Sequence, residues 1–163
     1  MRELTDSDLR AGLEAALAIP RFVDDVAARA PFVDFAALES AATGAASALT
    51  PAEIDRALAH HPRIGETPVG RGAAQEFSRA EQAAPDADDA VLAAALADGN
   101  RAYEERFDRV FLIRAAGRSR AEILAELTRR LQLDDDTDLA IVADQLLQIA
   151  LLRLTSAFGG EGA

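Results

Sequence analysis

The residues His60-His61-Pro62-Arg63-Ile64-Gly65 are followed by Ser78-Arg79-Ala80-Glu81-Gln82. A histidine fixed beside a proline, with a carboxylate twenty positions on, can form an acid/base pair that works near neutral pH. The pair functions only if the two segments meet in space. Each residue also has a plainer reading. For His61 it is a helix-terminal side chain that only hydrogen-bonds the last carbonyls, where the negative end of the helix dipole favours its protonated form. Ser78-x-x-Glu81 has the form of a helix-capping box, and a glutamate there is held as the anion. Such a carboxylate suits accepting a bond from a hydroxyl or facing a protonated histidine. Gln82 offers a donor and an acceptor to a urea-like edge.

A further candidate is Arg153. Leu139, Val142, Leu146, Ile149 and Arg153 follow alternating three- and four-residue spacing, which is one helix face. An arginine in line with that stripe either snorkels at its end or enters a pocket. Arg63, Arg71 and Arg114 are weaker candidates for the same cationic role. Gly117-Arg118-Ser119 reads as a helix entry, and no nucleotide-binding fingerprint is present.

These residues sit in a chain of 163 residues, a size that suits one domain covering 1–163. Half of the chain is hydrophobic and much of that is alanine, while aromatics are 5%; this composition favours helix over strand. The formal charge is 17 − 28 = −11. Nucleic acid is therefore not an expected partner, and neither is an anionic membrane. An anionic substrate would need a local basic pocket, and arginine can grip carboxylates and ureido groups with its planar fork. The chain lacks cysteine, and its two histidines are adjacent. Disulfides, zinc-thiolate sites and cysteine nucleophiles are excluded, and a metal site is not expected. No apolar run is expected to approach the ~18–20 residues of a membrane span, and the acidic start is not expected to act as a signal peptide. A cytoplasmic location is expected.

The elements that would position the candidates are helices. Thr5-Asp6-Ser7-Asp8 opens one that reaches about Ile19 before Pro20. Others run from about Arg21 to Arg29 and from about Asp34 to Ser47. Thr50-Pro51-Ala52-Glu53 is a capped helix start, and that helix reaches His60. A residue before proline leaves the α region, so His61 belongs at or just beyond the helix end. Residues 62–71 read as a loop, with a short helix beginning near Ser78. A long helix spans about Asp88 to Phe107, weakened at Gly99-Asn100. Val110-Phe111-Leu112-Ile113 is extended or a tight connection. Ser119-Arg120-Ala121-Glu122 opens a helix to about Leu131, and the last helix runs from about Asp138 to Ala157, leaving 159–163 as a frayed tail. The expected architecture is all-α, a single-domain irregular bundle of about seven or eight helices.

Six segments together resemble the OHCU (2-oxo-4-hydroxy-4-carboxy-5-ureidoimidazoline) decarboxylase family. They are His61-Pro62-Arg63-Ile64-Gly65; Ser78-Arg79-Ala80-Glu81-Gln82; Asn100-x-x-Tyr103-x-x-x-Phe107; Phe111-Leu112-Ile113-Arg114-Ala115; Gly117-Arg118-Ser119 with Glu122-Ile123-Leu124; and Leu152-Arg153-Leu154. They keep the family's order from about Leu4 to Phe158. Arg63, in place of an aspartate after the His-Pro pair, is similar to the bacterial branch, and Ala83-Ala84-Pro85 replaces a usual small Ala-Gly pair. The resemblance implies an all-α homodimer that decarboxylates OHCU to (S)-allantoin in urate breakdown, with no metal and no organic cofactor. It places the catalytic roles on His61 and Glu81. It places substrate binding on Pro62, Ser78, Gln82, Arg153 and the segment Phe111, Leu112, Ile113, Arg114 and Ala115, largely through that segment's backbone. The rival readings are another cofactor-free decarboxylase or lyase acting on a small ureido acid, and a non-catalytic helical binding module.

Overall fold

A computed structural model describes residues 4–66, 76 and 79–160. Seven helices are delimited in it: α1 (Asp6–Ala16), α2 (Pro20–Ala27), α3 (Phe35–Ala46), α4 (Pro51–Leu58), α5 (Ala90–Phe107), α6 (Arg120–Arg130) and α7 (Asp135–Phe158). A further helical turn covers 79–81, and no strand occurs among the described residues. The all-α expectation holds. Two compact units make up the chain, one from Met1–Ala57 with Leu146–Ala163 and the other from Leu58–Gln145.

In the first unit, α1 packs on α2 and α2 on α3. The Thr5 and Asp34 side chains cap α1 and α3. Thr50 and Glu53 close the expected reciprocal cap on α4, each side chain accepting from the other's backbone amide. Pro20 does more than stop α1: it is the first residue of α2, where its missing N–H costs nothing. Arg21 donates to Glu53, Asp25 and the Ala45 carbonyl, so one guanidinium ties α2, α3 and α4. Gly12 lies against Phe158, where a Cβ would fall 2.1 Å from the ring.

The second unit holds an apolar cluster of Ile64, Leu96, Tyr103, Phe107, Phe111, Ile113, Ala115, Ile123 and Leu127. Gly99, expected as a weak point of the long helix, has a packing role. A Cβ there would lie 2.4 Å from Leu127 Cδ2, so glycine lets α5 and α6 approach closely. Ser119 and Glu122 form a full capping box on α6.

Beside this cluster, the Asp138 carboxylate is completely buried. It accepts from Arg130 Nε (2.7 Å), from Arg109 Nη2 (2.7 Å) and from the Tyr103 hydroxyl. Arg130, also fully buried, donates onward to the Leu112 carbonyl, and its guanidinium lies 4.8 Å from the Phe111 ring centre. Gln145 Oε1 accepts from the Arg114 amide at 2.8 Å. Phe111–Ala115 is non-helical yet almost wholly buried, so its backbone must find partners inside the protein. The last helix begins at Asp135, three residues before the expected start, because the Asp134 side chain caps it by accepting from the Thr137 amide.

One expectation needs amending. α7 is 24 residues long with a mean hydropathy of 1.4 in its most apolar stretch, enough by length and composition to cross a bilayer. It also buries Asp138, Gln145 and Arg153 alongside Val142, Leu146, Ile149 and Leu154. That mixture is what a helix shows when protein packing takes up its apolar face.

Burial alone would raise the Asp138 pKa, but hydrogen bonds from Arg130, Tyr103 and Arg109 outweigh it and hold the carboxyl below its ordinary range. Burial first, and the bond to Asp138 second, push the Tyr103 hydroxyl up to about 12. The Asp138 contribution is therefore complete above the ordinary carboxylate value of about 4 and is lost as pH falls through the lowered one. The Tyr103 contribution is complete below about pH 10 and is lost as pH rises through about 12. Urea unfolding against pH should show stability falling at both ends. Asp138→Asn should flatten the acid limb and lower stability at neutral pH by about 3–5 kcal/mol, because buried guanidinium groups lose their counter-charge. Gln145→Leu, which strips the Arg114 amide of its acceptor, should cost about 1–3 kcal/mol in the same measurement.

Candidate active site

α4 ends at Leu58, and the His61 amide donates to the Leu58 carbonyl at 3.0 Å, closing the last turn. His61 therefore leaves the helix where the proline rule places it. His61 and Pro62 are half-buried, and Ile64 is anchored in the apolar cluster. Gly65 has φ +93°, a left-handed conformation that a side chain would strain.

Side-chain bonds hold this loop. The Arg63 guanidinium grips Glu104 of α5 with Nε and Nη2, and the Glu104 carboxylate keeps Arg63 more firmly protonated than an ordinary arginine. Arg63 also reaches Glu66. Asn100, buried in the middle of α5, donates from Nδ2 to the Ile64 carbonyl at 3.2 Å. The Gly65 amide donates to Gln82 Oε1 at 3.0 Å. This last bond joins the loop that carries His61 to the residue after Glu81, so the two segments do meet. Glu81 is half-buried in the helical turn at 79–81.

The other candidates fall as follows. Ser78 and Arg71 lie outside the described residues, so the Ser78–Glu81 capping box does too. Phe111, Ile113 and Ala115 share the apolar cluster with Ile64, which brings that segment to the foot of the His-Pro loop. Several of its backbone groups are engaged internally: Leu112 O by Arg130, Arg114 N by Gln145, Arg114 O by Arg118 Nε, and Ala115 O by the Arg118 amide. Arg63 is paired with the Glu104 and Glu66 carboxylates. Arg153 belongs to the first unit. It is 3% exposed, so it does not snorkel, and it donates from Nη1 to the Ala15 carbonyl at 3.1 Å.

Sequence reasoning missed the role of Asn100, which it read as weakening a helix. A buried side-chain amide in mid-helix is the signal that could have found it, because such a group must be hydrogen-bonded. It also missed that Gln82 joins two loops. No group of three or more metal-ligating side chains is present among the described residues.

What the arrangement can do is proton chemistry: an imidazole at a helix end, a carboxylate on a joined turn, and a rigid backbone segment nearby. Comparisons with known proteins point to one family. The OHCU decarboxylase family model matches residues 2–155. The uric acid degradation bifunctional protein TTL of Arabidopsis thaliana is 32% identical over 109 residues, 64% of this chain and 33% of that protein. The chain thus relates to about a third of that relative's length. A crystal structure of OHCU decarboxylase in the presence of (S)-allantoin superposes with a TM-score of 0.74 at 25% identity, covering 91% of this chain and 98% of that one. A crystal structure of (S)-allantoin synthase shares the fold, with a TM-score of 0.67 at 14% identity over 95% of this chain and 51% of that one. With a family match that spans nearly all of its length and motifs that the fold joins, the chain belongs to the OHCU decarboxylase family, whose members are carboxy-lyases.

Proposed function

We propose that the protein decarboxylates OHCU and protonates the product on one face to give (S)-allantoin. The observation that carries the reading is the Gly65–Gln82 bond, which brings the His61 loop against the Glu81 turn. OHCU needs little from a catalyst. Its carboxylate sits on a carbon next to a ring C=N, so the substrate is its own electron sink. When the bond to CO2 breaks, its electron pair forms a C=C bond in the ring and the C=N pair moves onto nitrogen, which takes a proton. The neighbouring carbon then gains a proton while the 4-hydroxyl loses one and becomes the ring carbonyl.

Glu81 holds the 4-hydroxyl and accepts its proton, keeping the scissile bond out of the ring plane. His61, protonated at the negative end of α4, stabilises the developing anion and delivers a proton to carbon. Pro62 fixes the backbone beside it, and Gln82, Ser78 and the Phe111–Ala115 backbone hold the ring and ureido edges. Orientation and fixed dipoles then supply most of the acceleration. The same reading carries a single catalytic domain and a cytoplasmic homodimer with neither nucleic acid nor membrane as partner; sedimentation tests the oligomeric state.

The test generates OHCU in place from urate with urate oxidase and hydroxyisourate hydrolase and follows its disappearance. Wild-type protein should accelerate the decay. His61→Ala should lower kcat by about 10²–10⁴-fold with little change in fold, the usual loss for a general acid, and Glu81→Gln should lower it comparably. Decay no faster than the spontaneous rate with folded wild-type protein, or His61→Ala turning over like wild type, would overturn the assignment.

A further inference from the structure

Two side chains one turn apart on α5, Asn100 and Glu104, face the loop that carries His61. Asn100, 5% exposed, donates from Nδ2 to the Ile64 carbonyl at 3.2 Å. Glu104 takes the Arg63 guanidinium on both carboxylate oxygens, one from Nε and one from Nη2 at 3.1 Å. A forked pair of this kind fixes direction as well as distance. One attachment holds a backbone atom of the loop and the other holds the neighbouring side chain, so a swing about either breaks the other. α5 is itself firmly held. Tyr103, which lies between the two residues in sequence, donates to the buried Asp138 carboxylate, and Phe107 packs in the apolar cluster.

The outer attachment is not explained by folding. The Arg63 side chain is 45% exposed and that of Glu104 27%, and ion pairs so open to water contribute little to stability. Nor does the Arg63 charge need Glu104, because Glu66 of the same loop also faces it, at 3.4 Å. What Glu104 adds is the tie from the loop to α5.

We infer that Asn100 and Glu104 are positioning residues for the decarboxylation. They act on Ile64 and Arg63, three and two positions after His61, and set where the loop stands on α5. The Gly65–Gln82 bond then joins the Glu81 turn to a loop already fixed. The clamp acts on the imidazole through the backbone, and its loss displaces the proton donor while the groups assigned to hold the ring stay in place. Misplacing a catalytic group by about 1 Å can cost about a hundredfold in rate. The consequence for turnover rests on the decarboxylase reading; the clamp itself rests on the geometry of the loop and α5.

Two readouts keep the clamp and that reading apart. The first is turnover of OHCU generated in place. Glu104→Ala should lower kcat about tenfold or more and leave KM within about twofold of wild type. Asn100→Leu should show the same split, with circular dichroism checking its fold; Glu104→Ala decides the matter if the buried substitution does not fold. Reversing the pair, Arg63→Glu with Glu104→Arg, should restore most of the lost kcat. A Glu66→Gln background keeps residue 63 from meeting a like charge there. Asp98→Ala, which breaks an exposed ion pair with Arg101 on the same helix, should leave both constants as in wild type. The second readout needs no substrate. It is the nuclear magnetic resonance signal of the His61 ring in histidine-labelled protein, told from that of His60 by its loss in His61→Ala. It should move in Glu104→Ala and return in the reversed pair. A kcat and a ring signal that Glu104→Ala leaves unchanged, or a loss that the reversed pair does not recover, would overturn the clamp. Folded wild-type protein that does not turn OHCU over, with a ring signal that follows the pair, would sink the decarboxylase reading and uphold the clamp as what places the His61 ring.

Discussion

A single buried carboxylate organises the second unit. Asp138 gathers the Tyr103 hydroxyl from α5, Arg109 from the turn that follows, and Arg130 from the end of α6. Desolvating an ion is expensive unless its partners are complete, so these elements must arrive together for any of them to be stable. Position at the start of α7 helps, because the positive end of the helix dipole favours the anion. Arg130 carries the consequence onward to the Leu112 carbonyl. A non-helical, apolar stretch is thereby held with several of its backbone groups fixed.

The His-Pro loop is built on different terms. Its anchor is apolar, Ile64 in the cluster with Phe111, Ile113 and Ala115, and its outer edge is tied by Arg63 to Glu104. Between them, Asn100 and Gln82 each satisfy one backbone group of the loop. The fold thus gives His61 a stiff support while leaving it only half-buried, in a chain whose net negative charge would otherwise work against an anionic substrate.

Local signals were legible in the sequence. Thr50 with Glu53 and Ser119 with Glu122 are reciprocal caps between residues three positions apart, and Pro62 marks the end of the turn that follows α4; each is decided by neighbours within a few positions. The stripe Leu139, Val142, Leu146, Ile149 and Arg153 was also readable from its period; Leu139 is half-buried and the other four are buried, Arg153 without snorkelling. Long-range partners were not readable. Asp138 stood in the run Asp134-Asp135-Asp136-Thr137-Asp138, which looks like a solvated helix entry. Only the start of α7 at Asp135 turns Asp138 inward, toward residues 8 to 35 positions away. Gly99 and Asn100 looked like helix breakers because propensity cannot see Leu127 or Ile64 approaching from elsewhere in the chain. For the site, the pairing of His61 with Glu81 was suggested by residue type and family resemblance. What joins the loop that carries His61 to the turn that carries Glu81 is the Gly65–Gln82 bond, whose partners no pattern of spacing links.

The handedness of the product tests the central claim most directly, that a histidine and a carboxylate on joined loops deliver a proton to one face of a decarboxylated ring. Circular dichroism of allantoin formed from urate, with OHCU generated in place, reads it. Spontaneous decay protonates both faces and leaves little lasting signal. With this protein present, the result predicted is a rapid, lasting signal of the (S) enantiomer. A racemic product formed in the presence of folded protein would contradict it.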